Sequence, residues 1–273
     1  MKIRIYKYHG TGNDFILADN REGHIILNQA QISWLCHRRF GVGADGLILL
    51  DRCGGFDFGM RYFNSDGRES TMCGNGGRCI VAFADFLSGQ TGTFRFHGPD
   101  GEHFGTVISK HGDEYLVKLS MQDVKNYRMQ GDDFILDTGS PHFVRFVENA
   151  HALNVQVEGR NIRQMKQFQP DGINVNFVSQ EDGQLFVRTY ERGVEDETLS
   201  CGTGVTASAL AFSIVKDIQE GVVRVKTRGG KIEVFFKTKH DRFTEIFLLG
   251  PAIKVFECMI DTGEMFFPED QVD

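Results

Sequence analysis

The strongest constraint on the fold of this chain is that it repeats itself. Cys73-Gly74-Asn75-Gly76-Gly77-Arg78 and Cys201-Gly202-Thr203-Gly204-Val205-Thr206 are near-matching cassettes in opposite halves. Tyr62 precedes Cys73 by eleven residues, as Tyr190 precedes Cys201, and Glu69-Ser70 and Glu197-Thr198 hold the same offset. Further segments follow the shift: His9-Gly10-Thr11-Gly12-Asn13-Asp14-Phe15 resembles Asp137-Thr138-Gly139-Ser140-Pro141-His142-Phe143, and Thr93-Phe94-Arg95-Phe96 resembles Val222-Val223-Arg224-Val225. A period this long is a duplicated domain and not a solenoid repeat. The fold must therefore hold two equivalent units, each presenting a thiol.

The 273 residues, 41% of them apolar, suffice for two lobes with cores of their own. A net charge of −7 without long Lys/Arg clusters argues against a nucleic-acid or anionic-membrane partner, so a small molecule is expected. Met1 to Tyr8 alternates like a strand and lacks the apolar core of a signal peptide, and no apolar run approaches the roughly 20 residues that span a bilayer. A cytoplasmic location is the expectation. Six cysteines without a leader read as reduced thiols, and their spacing suits neither a disulfide framework nor a zinc site. Cys36, Cys53 and Cys258 read as small buried hydrophobes.

Helices are expected over 29–39, capped by Asn28 with Gln31 three residues on, over 77–87, stopped by Gly89, and over 204–216. Strands are expected over 57–63, 115–119, 174–178, 185–190 and 231–236. The fold class is α+β, two β-rich lobes with one main helix after each cysteine loop. The lobe boundary falls between Leu119 and Asp132.

Each cassette places a thiol just before a glycine-rich turn that opens a helix. Free N–H groups and the helix dipole at that end stabilise anions. They are expected to lower the thiol pKa toward neutrality and to bind a carboxylate or phosphate. Two such thiols on opposite faces of one carbon could invert it, one removing a proton as thiolate while the other delivers one. Asn13, Asn64, Asn75 and Asn174 in or beside turns, with Glu191-Arg192 after a strand, suit an amino-acid substrate, since Arg clamps carboxylates and Glu or Asn accepts from ammonium. Turn asparagines, a solvated Glu-Arg pair and a loop His142 are the ordinary alternatives.

Six motifs occur in one order: His9-Gly10-Thr11-Gly12-Asn13-Asp14-Phe15, Gly41-Val42-Gly43-Ala44-Asp45-Gly46, Phe63-Asn64-Ser65-Asp66-Gly67, Cys73 to Cys79, Tyr190-Glu191-Arg192-Gly193 and Cys201-Gly202-Thr203-Gly204. Together they resemble the diaminopimelate epimerase family over nearly the whole chain; the wider cofactor-independent racemases share only the two-cysteine logic. The resemblance implies two pseudo-symmetric lobes, each wrapping strands around a central helix, with the active site between them. The C-terminal strand would return to the first lobe, giving residues 1–118 plus 250–273 as one lobe and 119–249 as the other. It also implies interconversion of LL- and meso-diaminopimelate without pyridoxal phosphate, metal or other cofactor, on the route to lysine and peptidoglycan, by a homodimer.

By the same resemblance Cys73 and Cys201 alternate as acid and base. Asn13, Asn64 and Asn174 contact the distal end of the substrate, with Arg192 on its carboxylate. The backbones of Gly74, Asn75, Gly202 and Thr203 hold the reacting carboxylate, and Glu191 and His142 meet the reacting ammonium. Two departures bear on affinity: Ser140 stands where many members carry Asn before Pro-His, and Gly46 where some carry Gln. The residues also leave open a racemase for another amino acid, a non-catalytic amino-acid-binding protein, and a redox disulfide between the two thiols.

Overall fold

Two helices are buried over most of their length, and the sheets are arranged to cover them. In α2 (Gly74–Ser88) every residue from Gly74 to Asp85 is buried, and in α4 (Gly202–Val215) every residue from Gly202 to Ala211. A helix buried on all sides has no face to offer water and must sit inside a shell. A computed structural model of the chain, which describes residues 2–239 and 242–264, supplies that shell as one continuous mixed sheet folded around both helices.

The first half contributes β1 (Lys2–Gly10), β2 (Asn13–Asn20), β3 (Gly46–Asp51), β4 (Phe58–Asn64), β5 (Thr93–Gly98), β6 (Gly101–His111) and β7 (Glu114–Ser120). The second contributes β8 (Tyr127–Gln130), β9 (Asp133–Asp137), β10 (Pro141–Phe146), β11 (Asn174–Glu181), β12 (Gln184–Glu191), β13 (Asp196–Thr198), β14 (Glu220–Thr227) and β15 (Gly230–Lys239). The strand β16 (Arg242–Asp261) runs through both. Its first part pairs with β15, Gly250 to Ile253 pairs with β7, and Ile253 to Asp261 pairs with β1, which closes the first half into an eight-stranded barrel. Closure leaves that half no free edge.

The duplication reappears in strand directions. From β2 to β3 the pairing is parallel, then antiparallel to β4, parallel to β5 and antiparallel to β6. From β10 through β11, β12 and β14 to β15 the same order recurs. The fold is thus α+β with two pseudo-symmetric lobes, as expected. One core cluster takes side chains from both, including Ile80 and Phe83 of α2, Leu210 of α4, and Leu248 of β16.

The expected strands all form; the one expected over 57–63 is shifted by one residue to Phe58–Asn64, and the other four are extended by two to four residues in all. The helices differ more. Both cassette helices begin earlier than expected, at Gly74 and Gly202, because their glycines adopt helical geometry where propensity disfavours it. The first helix, α1 (Gln29–Cys36), has the expected capping box between Asn28 and Gln31 but stops at His37 instead of reaching Arg39. The loop then folds back, with the N–H groups of Val42 and Gly43 bonded to the Leu35 carbonyl. A further helix, α3 (Val155–Arg163), was not anticipated; Asn154 caps it and it covers the outer face of β11 and β12. Cys53 and Cys258 are partly exposed and only Cys36 is buried, which corrects the expectation for these three. Residues 265–273 of the expected returning segment lie outside the described residues. No helix among the described residues is long and apolar enough to cross a membrane.

Candidate active site

Cys73 and Cys201 are the N-caps of α2 and α4, with nearly the same backbone, φ −115 and ψ 121 against φ −112 and ψ 112. Neither side chain makes the usual capping hydrogen bond, but the first-turn N–H groups of Asn75 and Gly76 bear on the Cys73 sulfur and that of Gly204 on the Cys201 sulfur. The two helix ends meet. A methyl group on Gly202 would lie 3.2 Å from the Gly74 Cα and 3.5 Å from the Asn75 backbone nitrogen. Asn75 joins the halves further, its Nδ2 donating to the Ser200 carbonyl at 2.9 Å and to Asn13 Oδ1 at 3.2 Å. The close approach explains the glycine at each cassette's second position: any side chain would separate the helices.

All six cysteines are free thiols. The expected lowering of the two cassette pKa values does not occur. Burial pushes the Cys73 thiol up to about 11, outweighing the N–H groups of Gly76 and Asn75, and the Glu191 carboxylate adds to the rise. Burial raises Cys201 further, and Glu191 again adds to it. Helix-end dipoles favour an anion, but desolvation of a thiolate in an enclosed site opposes them more strongly.

Around Cys201 the hydrogen bonds form a directed chain. The Thr203 hydroxyl is 3.4 Å from the Cys201 sulfur and 2.9 Å from His142 Nε2. Asn176 Nδ2 lies 3.1 Å from His142 Nδ1 and donates to the Phe143 carbonyl at 3.0 Å, while its Oδ1 accepts from the Thr189 hydroxyl at 2.9 Å. A backbone carbonyl can only accept, so the Asn176 nitrogen is the atom on that side and His142 Nδ1 is the unprotonated one. His142 therefore donates through Nε2 to Thr203. Burial, with Arg192 nearby, drives its pKa down to about 3, so the ring is neutral. With both ring nitrogens engaged, His142 is not placed to receive an ammonium; it holds Thr203 instead.

A second cluster surrounds Arg192. Asn174 Nδ2 donates to Ser140 Oγ at 2.9 Å and to the Pro141 carbonyl at 3.1 Å, while its Oδ1 accepts the Arg192 backbone N–H at 2.8 Å. The Arg192 guanidinium makes only 3.5 Å contacts to Ser140 Oγ and the Asp171 carbonyl, and among the described residues no carboxylate pairs with it. Glu191 ends β12 beside these groups; burial raises its pKa, and Asp45 adds to the rise. Asn13 Nδ2 donates to Asp45 Oδ2 at 2.7 Å, and its Oδ1 lies 3.5 Å from the Cys73 sulfur. Asn64 lies exposed at the end of β4, opposite Gly46, and among the described residues no hydrogen bond of its side chain joins it to this cluster. A side chain on Gly46 would meet the Phe63 carbonyl and the Tyr62 ring, so that position offers the site no contact.

Sequence reasoning passed over Asn176, Thr189 and Arg78. The first two lie on strands and carry no turn or glycine signal. Arg78 sits within the first cassette, but the second cassette has Thr206 in its place, so the repeat does not point to it. Two clefts of about 280 and 340 Å³, one against α1 and β3 and one beside the end of α4, contain neither cysteine. The paired helix ends, not cavity size, mark the site.

The diaminopimelate epimerase family model matches the chain twice, over residues 5–125 and 134–255, once on each half. The diaminopimelate epimerase of Flavobacterium psychrophilum is 46% identical over 260 residues, covering 94% of this chain and 100% of that one. Those of Chlorobaculum tepidum and Aquifex aeolicus are 42% and 38% identical, over 92% and 93% of this chain and 98% and 96% of theirs. Among solved structures, a Bacillus anthracis phenazine biosynthesis protein of the PhzF family aligns with a TM-score of 0.75 at 15% identity, covering 95% of this chain and 99% of that one. A hydroxyproline epimerase from Agrobacterium vitis, solved with bound trans-4-hydroxy-L-proline, aligns at 0.68 with 16% identity over 98% and 96%. At these identities the structural likenesses speak for the fold alone. With a family model covering both halves and relatives matched end to end, this chain belongs to the diaminopimelate epimerase family.

Proposed function

We propose that this protein interconverts LL- and meso-diaminopimelate by proton transfer at one α-carbon between Cys73 and Cys201. The observation that carries the reading is the meeting of two helix N-termini, each capped by a thiol, across Gly74 and Gly202. One thiolate removes the α-proton: the C–H bond breaks, an S–H bond forms, and the electron pair passes into the adjoining carboxylate. The opposite thiol then delivers its proton to the other face and becomes the thiolate. The backbone N–H groups of Gly74, Asn75, Gly202 and Thr203 receive the carboxylate as its charge grows. Glu191 takes the ammonium, whose charge also offsets the desolvation that keeps both thiols protonated. Thr203, held by His142, supports Cys201.

The distal amino-acid end of the substrate goes to Arg192, Asn174, Ser140, Asn13 and Asn64, with Arg192 on the carboxylate. Its loosely engaged guanidinium beside Ser140 and Asn174 supports this assignment. The chain divides into a first lobe, residues 1–118 with 250–273, and a second, 119–249. The protein works in the cytoplasm, where its six free thiols persist. It forms a homodimer through the outer part of β16, where Val255, Phe256 and Met259 are exposed apolar side chains; light scattering after size exclusion tests that assignment.

Incubation of reduced protein with LL-diaminopimelate in deuterated water is expected to give the meso isomer with deuterium at the inverted carbon. Cys73→Ala and Cys201→Ala should each abolish inversion. Folded, reduced protein that neither exchanges the α-proton nor forms the meso isomer would overturn the assignment.

A further inference from the structure

Arg78 is fully buried, on the first turns of α2, and among the described residues it has no carboxylate partner. Its donors go to the Pro251 carbonyl at 3.3 Å, the Gly74 carbonyl at 3.2 Å, Asn75 Oδ1 at 2.7 Å and Thr11 Oγ1 at 3.5 Å. All four are neutral acceptors. They satisfy the N–H groups but leave the charge uncompensated, a costly state inside a protein. The chain is shaped to keep it. A methyl group on Gly10 would come within 3.2 Å of Arg78 Nη2, and one on Gly250 within 3.2 Å of its Nε. The ionisable groups that it influences are the thiols of Cys79 first and Cys73 second, and it reaches Cys73 through Asn75, whose Nδ2 donates to the same Asn13 Oδ1 that lies 3.5 Å from the Cys73 sulfur.

The second cassette has no such cation. Thr206 occupies the matching position, and its hydroxyl donates to the Gly202 carbonyl at 3.0 Å. Charged and titratable groups around Cys73 are Glu191, Tyr62, Cys79, Cys201 and Arg78; Asp45 lies behind Glu191 and Tyr62. Of these, Arg78 alone is positive. Glu191 burdens both cassette thiols, whereas Arg78 relieves Cys79 and, to a smaller extent, Cys73.

We infer that Arg78 is a positioning residue that supplies a buried countercharge to Cys73, so that in the substrate-free protein the first thiolate forms on Cys73 and not on Cys201. The same guanidinium holds Asn75 Oδ1, which leaves Asn75 Nδ2 directed at the Ser200 carbonyl and Asn13, and so sets the first cassette against the second. This inference rests on the two-thiol reading above, since it asks which of the two thiols ionises first.

The test is alkylation of the substrate-free protein by iodoacetamide across a pH series, with peptide mapping of each cysteine. In the wild type the pH midpoint for Cys73 is expected below that for Cys201. Arg78→Gln and Arg78→Met should move the Cys73 midpoint up by about one pH unit, about a tenfold loss of thiolate at a given pH, and leave that of Cys201 in place. Arg78→Lys should restore it. An unshifted Cys73 midpoint in a folded neutral variant overturns the inference. If neither neutral variant folds, the wild-type series decides, because equal or reversed midpoints also overturn it. No substrate is involved, so failure of the alkylation pattern and failure of epimerisation are read separately.

Discussion

Asn176 shows how much one side chain can set in this site. Its amide is oriented by the Phe143 carbonyl, which leaves His142 Nδ1 as acceptor and directs the Nε2 proton to Thr203 beside Cys201. Asn176→Ala leaves three buried polar groups without their partner and is expected to cost about 1–3 kcal/mol of stability by chemical denaturation. It should also lower kcat more than it raises KM, because the chain it anchors ends at a reacting thiol. Asp14 carries a different prediction. Burial would raise its carboxyl pKa, but hydrogen bonds from Arg38 and Lys7 outweigh that and hold it at about 2. A carboxyl depressed in the folded state stabilises above its unfolded value, and that contribution is lost as pH falls from 3.8 toward about 2. Asp14→Asn should thus remove about 1–2 kcal/mol at neutral pH and flatten the acid limb of a stability profile, whereas an unchanged acid limb would count against the pairing.

Among the elements, α2 and α4 depend on contact at their first residues. Gly202→Ala would place a methyl group 3.2 Å from the Gly74 Cα and 3.4 Å from Leu248 Cδ1. The expected result is a folded protein, its Tm lowered by a few degrees, with kcat/KM reduced roughly a hundredfold because the two thiols no longer face one carbon at the required spacing. Full activity in that variant would show that the close approach is not needed. These helices also show what was legible at this scale. The glycines and preceding cysteines announced turns that open helices, yet the helices start at Gly74 and Gly202, since burial overrides the weak propensity of glycine. α3 was not legible, because much of its stability comes from contacts with β11 and β12, which only the assembled sheet provides.

At the scale of the whole molecule, β16 couples the lobes. Arg242 to Leu249 completes one sheet and Gly250 to Asp261 closes the other, while Leu248, fully buried, lies against both helix ends. A shared strand and a shared core predict one cooperative thermal transition, with calorimetric and van't Hoff enthalpies equal. Leu248→Ala should lower stability by about 2–5 kcal/mol without splitting that transition. Two resolved transitions would mean that the lobes fold independently despite the strand they share. The duplicated cassettes and the two β-rich lobes of the α+β fold could be read from the chain alone, because they rest on spacing and local pattern, and the family from the resemblance that six ordered motifs carry. The raised thiol pKa values, the neutral His142 engaged on both nitrogens, and the carboxylate-free Arg78 could not. Each depends on desolvation and on partners distant in sequence, and those exist only once the two halves close around their helices.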